Sequence, residues 1–211
     1  MKAIDYLRYI VDEIHTVIVA TVDDEGLPVT GAIDMMDYDE SGLYFLTAKG
    51  KSFYTRLKGK EYMALTGIKG KDTMSCVAVS VRGRVKAIGS GHLPKLFAKN
   101  PYMNEIYPTE QSRQALTVFN LCEGSGEWFD LSKKPIERAS FSFGDINKKR
   151  DGYLITESCI GCGSCVEVCP QRCLVTDKIP FKIKQEHCLH CGNCYSFCPT
   201  GAIIRGDIGE R

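Results

Sequence analysis

Nine of the chain's eleven cysteines fall between positions 159 and 198, and eight of them form one pattern written twice. Cys159, Cys162, Cys165 and Cys169, followed by Pro170, read C-x2-C-x2-C-x3-C-P. Cys188, Cys191, Cys194 and Cys198, followed by Pro199, repeat it at an offset of 29 residues, from 159 to 188. That spacing suits two cubane 4Fe–4S clusters. Three cysteines on a tight loop reach three irons of one cube, and the fourth opens a helical turn that points away and serves the other. One cluster is therefore expected on Cys159, Cys162, Cys165 and Cys198, and the second on Cys188, Cys191, Cys194 and Cys169. Gly161, Gly163 and Gly192 would let backbone N–H groups approach the sulfurs and tune potential. Pro170 and Pro199 redirect the chain after each fourth ligand. Zinc could use the C-x2-C pairs but has no need of the x3-C-P continuation twice over. Cys173, whose repeat counterpart is Ala202, is read with Cys76 and Cys122 as a small core residue. His190, inside the second loop, is read as exposed beside the cluster and not as a ligand, although it could make that cluster's potential pH-dependent.

On these residues the tail, over about 153–206, resembles the bacterial two-cluster ferredoxin domain. The resemblance implies a small α+β fold of two pseudo-symmetric halves in which each cluster carries one electron.

The rest of the chain is ordinary in bulk. Its 211 residues are 44% hydrophobic and 25% charged, with a formal charge of +1. Those values exclude a nucleic-acid binder driven by bulk positive charge and an acidic disordered chain. Residues 1–150 carry 21 basic and 19 acidic groups, and residues 151–211 carry 6 and 7, so neither half is strongly polarised. The cysteine clustering favours two domains, 1–150 and 151–211. A polar linker over 144–152 would join them, with Lys148, Lys149 and Arg150 read as solvated. The N-terminal residues carry Asp5, Arg8, Asp12 and Glu13 in place of a signal peptide's apolar stretch, and the apolar runs are too short for a membrane span. A cytoplasmic protein without a membrane partner is expected, its thiols reduced and available as metal ligands.

The elements that must position this chemistry are mainly β. Ile4, Leu7, Val11 and Ile14 share one face of a helix over 2–14. Strands are expected over 16–22, 27–36, 43–47, 62–66 and 76–88, and near 118–122, 126–130 and 138–143. A helix is expected over 52–58, and residues 93–117 read as helical with breaks near Pro101 and Pro108. Many strands, short turns and few helices suggest an antiparallel barrel. There is no G-x-G-x-x-G after a strand, no Walker loop and no G-x-S-x-G elbow, so no nicotinamide site is encoded in recognisable form.

The stretch Gly26-Leu27-Pro28, then Tyr38-Asp39-Glu40-Ser41-Gly42-Leu43-Tyr44-Phe45-Leu46-Thr47, is similar to the pyridoxamine 5′-phosphate oxidase family. With Arg82-Gly83-Arg84-Val85 the resemblance spans about 10–143. It implies an FMN-binding split barrel with flanking helices and a homodimer whose interface holds the flavin. Carried over, the contacts of the second strand fall on Thr30, Gly31, Ala32 and Ile33. Those of the turn after the third strand fall on Thr47, Lys51 and Ser52. A lysine, a hydroxyl and helix N-terminal amides suit a phosphate dianion. The family's late tryptophan and arginine correspond to Trp128 and Arg138, which would reach the flavin across the dimer. The oxidase's second-strand arginine and lysine are replaced by Gly31 and Met36, which argues against oxidation of pyridoxamine phosphate while leaving FMN binding intact. His15 and His92 show no partner pattern.

The expectation is an iron–sulfur flavoprotein oxidoreductase. Two 4Fe–4S clusters would exchange electrons with FMN, a redox partner such as a ferredoxin or reductase would connect to the clusters, and a small molecule would react at the flavin. No individual catalytic residue stands out. The alternative is a non-enzymatic electron carrier or redox sensor with the barrel as dimerisation scaffold. A haem-binding barrel is a third reading without an evident axial ligand. Two oxidised clusters at about −2 each would take the holo chain from +1 to roughly −3. Such an acidic redox face would favour a basic partner or a basic patch on the chain's own barrel.

Overall fold

The computed structural model describes residues 1–146 and 151–208. Lys148, Lys149 and Arg150 of the expected linker lie outside the described residues. The chain opens with helix α1 (Ala3–Arg8), continued by a π-helical turn (Tyr9–Ile14). Strands β1 (Thr16–Val22), β2 (Pro28–Asp34), β3 (Asp37–Asp39) and β4 (Gly42–Ala48) precede helix α2 (Ser52–Lys60). Then come β5 (Tyr62–Lys69), β6 (Val77–Gly89) and the short helices α3 (Leu93–Lys99), α4 (Met103–Ile106) and α5 (Glu110–Arg113). Strands β7 (Leu116–Asp130) and β8 (Glu137–Phe143) complete the larger part. All pairs in its eight-stranded sheet are antiparallel, in the order β2-β1-β5-β6-β7-β4-β3, with β8 also on β7.

Two of the expected strands, near 118–122 and 126–130, are one strand. β7 runs 15 residues without a turn, because its first half pairs with β4, its second half with β8, and nearly all of it with β6. Gly83 and Gly124 at the middle of β6 and β7 permit that pairing: a Cβ on Gly83 would stand 1.9 Å from the carbonyl oxygen of Glu123. Inward residues, among them Leu43, Phe45, Val79, Val81, Phe119 and Leu121, form one core with α1. The opposite face of β4 and β7 packs Tyr44, Leu116 and Val118 against Leu93, Leu96 and Phe97 of α3 in a second core. No helix among the described residues is long and apolar enough to cross a membrane.

The C-terminal part is a small ferredoxin domain. Strand β9 (Asp151–Ile155) pairs with the last strand, β12 (Ile203–Asp207), and β10 (Leu174–Val175) pairs with β11 (Lys182–Ile183). Two single-turn helices, α6 (Ser164–Glu167) and α7 (Asn193–Ser196), follow the cysteine loops. The sequence repeat is also a backbone repeat. Left-handed residues recur at the 29-residue offset as Gly161 and His190, Gly163 and Gly192, Arg172 and Gly201. His190 and Arg172 hold that conformation without being glycine, at about 1 kcal/mol each.

Candidate functional site

The eight motif cysteines gather around two cavities, and each cavity takes its thiols from both motifs. Cys159, Cys162, Cys165 and Cys198 line a cavity of about 310 Å³, solvent at its mouth included. Cys169, Cys188, Cys191 and Cys194 line another of about 350 Å³. Among the described residues no three His, Cys, Asp or Glu side chains converge tightly enough for a single ion. Four thiols spread over a cavity wall fit a cube of iron and sulfide, whose four corners are separate irons.

The surroundings favour thiolates at several of these positions. Ser164 donates to Cys162 from its side chain and backbone and lowers its pKa. At Cys198 burial acts the other way, but the hydroxyl and N–H of Thr200 and the N–H groups of Ala202 and Ile203 outweigh it. The Cys188 thiol is pulled well below its usual value by a hydrogen bond from Cys173 above all; burial opposes this, while the backbone N–H of His190 and the charge of Arg138 assist. Burial raises the Cys194 thiol to about 11, a group that only a metal would hold as thiolate at neutral pH.

Arg138 belongs to the barrel, not to the ferredoxin domain. It lies on β8, only 16% exposed, with its guanidinium 2.9 Å from Glu127 Oε1. Its charge reaches both Cys188 and His190. Burial and then Arg138 lower the His190 pKa, and the ring is half-buried where an exposed one was expected. Ile136, one residue before β8, is gripped from the ferredoxin domain at both backbone groups. Its N–H donates to Gln171 Oε1 at 3.1 Å and its carbonyl accepts from His187 Nδ1 at 3.0 Å. The second cavity is thus the one next to the barrel.

The barrel's expected flavin residues divide. Thr30, Gly31 and Ala32 lie exposed on the edge strand β2, with Ile33 half-buried beside them. A Cβ on Gly31 would meet nothing within 4 Å, so the strand offers open backbone. Thr30 and Ala32 stand opposite Ala20 and Ile18, on a face that also exposes Val22, Tyr62 and Ile68. Thr47 is 2% exposed and its Oγ1 has no hydrogen-bond partner. Four residues on, Lys51 caps α2 without a side-chain bond to the helix, and Ser52 is its first residue. An orphaned buried hydroxyl four residues before an exposed lysine and first-turn amides lacking intrahelical acceptors fits a phosphate-bearing ligand.

Trp128 and Arg138 do not join that cradle within the chain. Trp128 is 8% exposed and packs on Tyr6 and Tyr9 with ring centroids 5.5 and 4.7 Å away, so the structure gives its ring to the core. The register explains why the two cannot act together on one face. Trp128 stands opposite Ala139 and Arg138 opposite Phe129, so they project from opposite sides of the β7–β8 ribbon. Arg138 is engaged by Glu127 and the second cavity.

A polar cluster not expected from sequence joins His15, Asp34 and Tyr102. Tyr102 donates to Asp34 Oδ2 at 2.7 Å, His15 Nε2 lies 3.1 Å from the Tyr102 hydroxyl, and Thr16 donates to Asp34 Oδ1 at 2.6 Å. Burial pushes Asp34 up, but these hydrogen bonds and the charge of His15 hold it below its usual range. Burial and the Asp34 bond raise Tyr102. The three positions are 15, 34 and 102, and no short motif marks them; the β1–β2 register sets Asp34 opposite Thr16, next to His15, which turns at a positive φ of 65°. Cys173, read from sequence as a small core residue, is 4% exposed and also lines the second cavity.

Comparison with known proteins follows the same division. The profile of the pyridoxamine 5′-phosphate oxidase family matches residues 4–122, and that of the 4Fe-4S dicluster domain matches residues 158–202. A pyridoxine/pyridoxamine 5′-phosphate oxidase of Mycolicibacterium gilvum is 27% identical over 135 residues, 60% of this chain and 59% of that protein. The chain thus spans about three-fifths of that relative. A NimC/NimA family protein from Clostridium acetobutylicum superposes with a TM-score of 0.54 at 15% identity, over 67% of this chain and 90% of its own. A haem-binding protein from Mycobacterium smegmatis superposes with 0.53 at 13% identity, over 67% and 58%. Both likenesses concern the fold.

Proposed function

The chain belongs to the pyridoxamine 5′-phosphate oxidase family, and on that premise we propose that it is an iron–sulfur flavoprotein whose two 4Fe–4S clusters exchange electrons with FMN in the barrel to reduce or oxidise a small molecule. The observation that carries the reading is the pair of cysteine-lined cavities, each drawing three thiols from one motif and the fourth from the other, with the second held against the barrel through Ile136. When bound, FMN would supply one- or two-electron exchange and each cluster one-electron exchange.

The chain's residues supply binding and position. Cys159, Cys162, Cys165 and Cys198 would hold the outer cluster, and Cys169, Cys188, Cys191 and Cys194 the inner one. Lys51, Ser52 and the unpartnered Thr47 hydroxyl would hold the flavin phosphate. Thr30, Gly31, Ala32 and Ile33 would present open backbone to the ring. The face carrying Ile18, Val22, Tyr62 and Ile68 is apolar and exposed, which supports burial against a second copy of the chain. Light scattering of the flavin-loaded protein should give a dimer. Pyridoxamine phosphate is a poor candidate substrate. Gly31 carries no charge, and Met36 is 2% exposed within the second core, where a cation could not reach substrate.

An ultraviolet–visible spectrum of anaerobically purified protein, with acid extraction of its cofactor, tests the reading. Broad iron–sulfur absorbance and released FMN support it. Absence of flavin after reconstitution with FMN, or release of haem, overturns it.

A further inference from the structure

We propose that Cys173 is a reserve ligand for the inner cluster, able to replace Cys169 at its iron. The inference rests on the reading that the second cavity holds a 4Fe–4S cluster. Five thiols line that cavity where a cube needs four: Cys169, Cys173, Cys188, Cys191 and Cys194. Cys173 is 4% exposed, and its Sγ stands 3.5 Å from that of Cys169. Cys188, a second expected ligand of the same cluster, lines the same cavity wall.

The backbone puts it there. Arg172 adopts a left-handed conformation at φ 49° and turns the chain back toward the cavity directly after the first motif. Gly201, at φ 62°, makes the same turn after the second motif, and there the following residue, Ala202, is 1% exposed and lines the first cavity. The fold therefore points this position at a cluster in both halves, and only the half beside the barrel carries a thiol. The outer cavity has no fifth cysteine on its wall.

The exchange needs no oxidant or reductant. Cys173 gives its proton to the Cys169 sulfur as its own sulfur takes the iron; one Fe–S bond forms, one breaks, and no electron moves. The inner cluster thereby keeps four thiolates when the Cys169 corner is lost.

Three variants of the full chain, Cys169→Ala, Cys173→Ala and the double variant, test this when purified anaerobically and assayed for iron, sulfide and electron paramagnetic resonance. Wild type, Cys169→Ala and Cys173→Ala should each keep about eight irons per chain, with an altered inner-cluster signal in Cys169→Ala; only the double variant should fall toward four. A Cys169→Ala protein that drops to the iron content of the double variant, holds a three-iron cluster, or fails to fold while Cys173→Ala folds overturns the assignment of Cys173. Wild type with about four irons would overturn the two-cluster reading itself, a separate result.

Discussion

His187 donates a hydrogen bond from Nδ1 to the backbone carbonyl of Ile136 at 3.0 Å, and so ties the residue before a second-motif cysteine to the start of β8 in the barrel. Gln171 takes the N–H of the same isoleucine. Each bond contributes about 1 kcal/mol. Replacing both side chains, as His187→Ala with Gln171→Ala, should slow flavin reduction by electrons delivered to the clusters several-fold, with iron content unchanged. Anaerobic stopped-flow absorbance measures it. An unchanged rate would mean that this contact does not set the path.

Arg138 places a positive charge beside the inner cavity, and Glu127 offsets it. Reduction adds an electron, which a nearby cation favours. Arg138→Gln should therefore make the inner cluster's potential more negative, and Glu127→Gln should make it more positive, each on the order of tens of millivolts after screening. The outer cluster should stay where it is. Redox titration followed by electron paramagnetic resonance separates the two.

Lys51 is exposed at the start of α2 and makes no cap to its own helix. Lys51→Ala should weaken FMN binding about tenfold, the loss of one charge-assisted hydrogen bond, with the cluster absorbance intact. Fluorescence titration of the flavin-free protein measures the affinity. Loss of the clusters instead would contradict the separation of the two sites.

The division between legible and illegible features follows the range of the interactions. Cluster ligation depends on spacing within loops, and the structure gathers the same two sets of four thiols that the motifs imply. Strand β1 and the start of α2 match the β-branched run and the residues after the turn. The sides taken by Trp128 and Arg138 were not legible, because their separation matches the family's whereas their side is set by β7–β8 register, which no local pattern states. That the buried Cys173 also faces a cavity was not legible, because its direction comes from a left-handed Arg172, a conformation sequence gives no reason to expect of arginine. The long β7 was read as two strands because Glu123 to Ser125 resembles a turn, and only pairing with β6 and β8 keeps it extended.

Asp37 is buried and accepts from Lys95 at 2.6 Å and Lys99 at 2.9 Å. Burial pushes its carboxyl up, but the two lysines more than offset this, and the folded pKa lies below the unfolded value. Its contribution is therefore complete at neutral pH and lost as pH falls below about 4. Asp37→Asn should cost about 1–3 kcal/mol at pH 7, and the gap to wild type should narrow at pH 3.5. Urea unfolding followed by Trp128, the single tryptophan and a barrel core residue, reads this independently of iron.

The central claim, that two clusters and one flavin form a single electron store, is tested most directly by anaerobic reductive titration of the reconstituted protein under absorbance. The account predicts about four electron equivalents per chain, two to FMN and one to each cluster, with flavin and iron–sulfur bands bleaching in one connected titration. An end point near two equivalents, or a flavin that stays oxidised after the clusters are reduced, would contradict it.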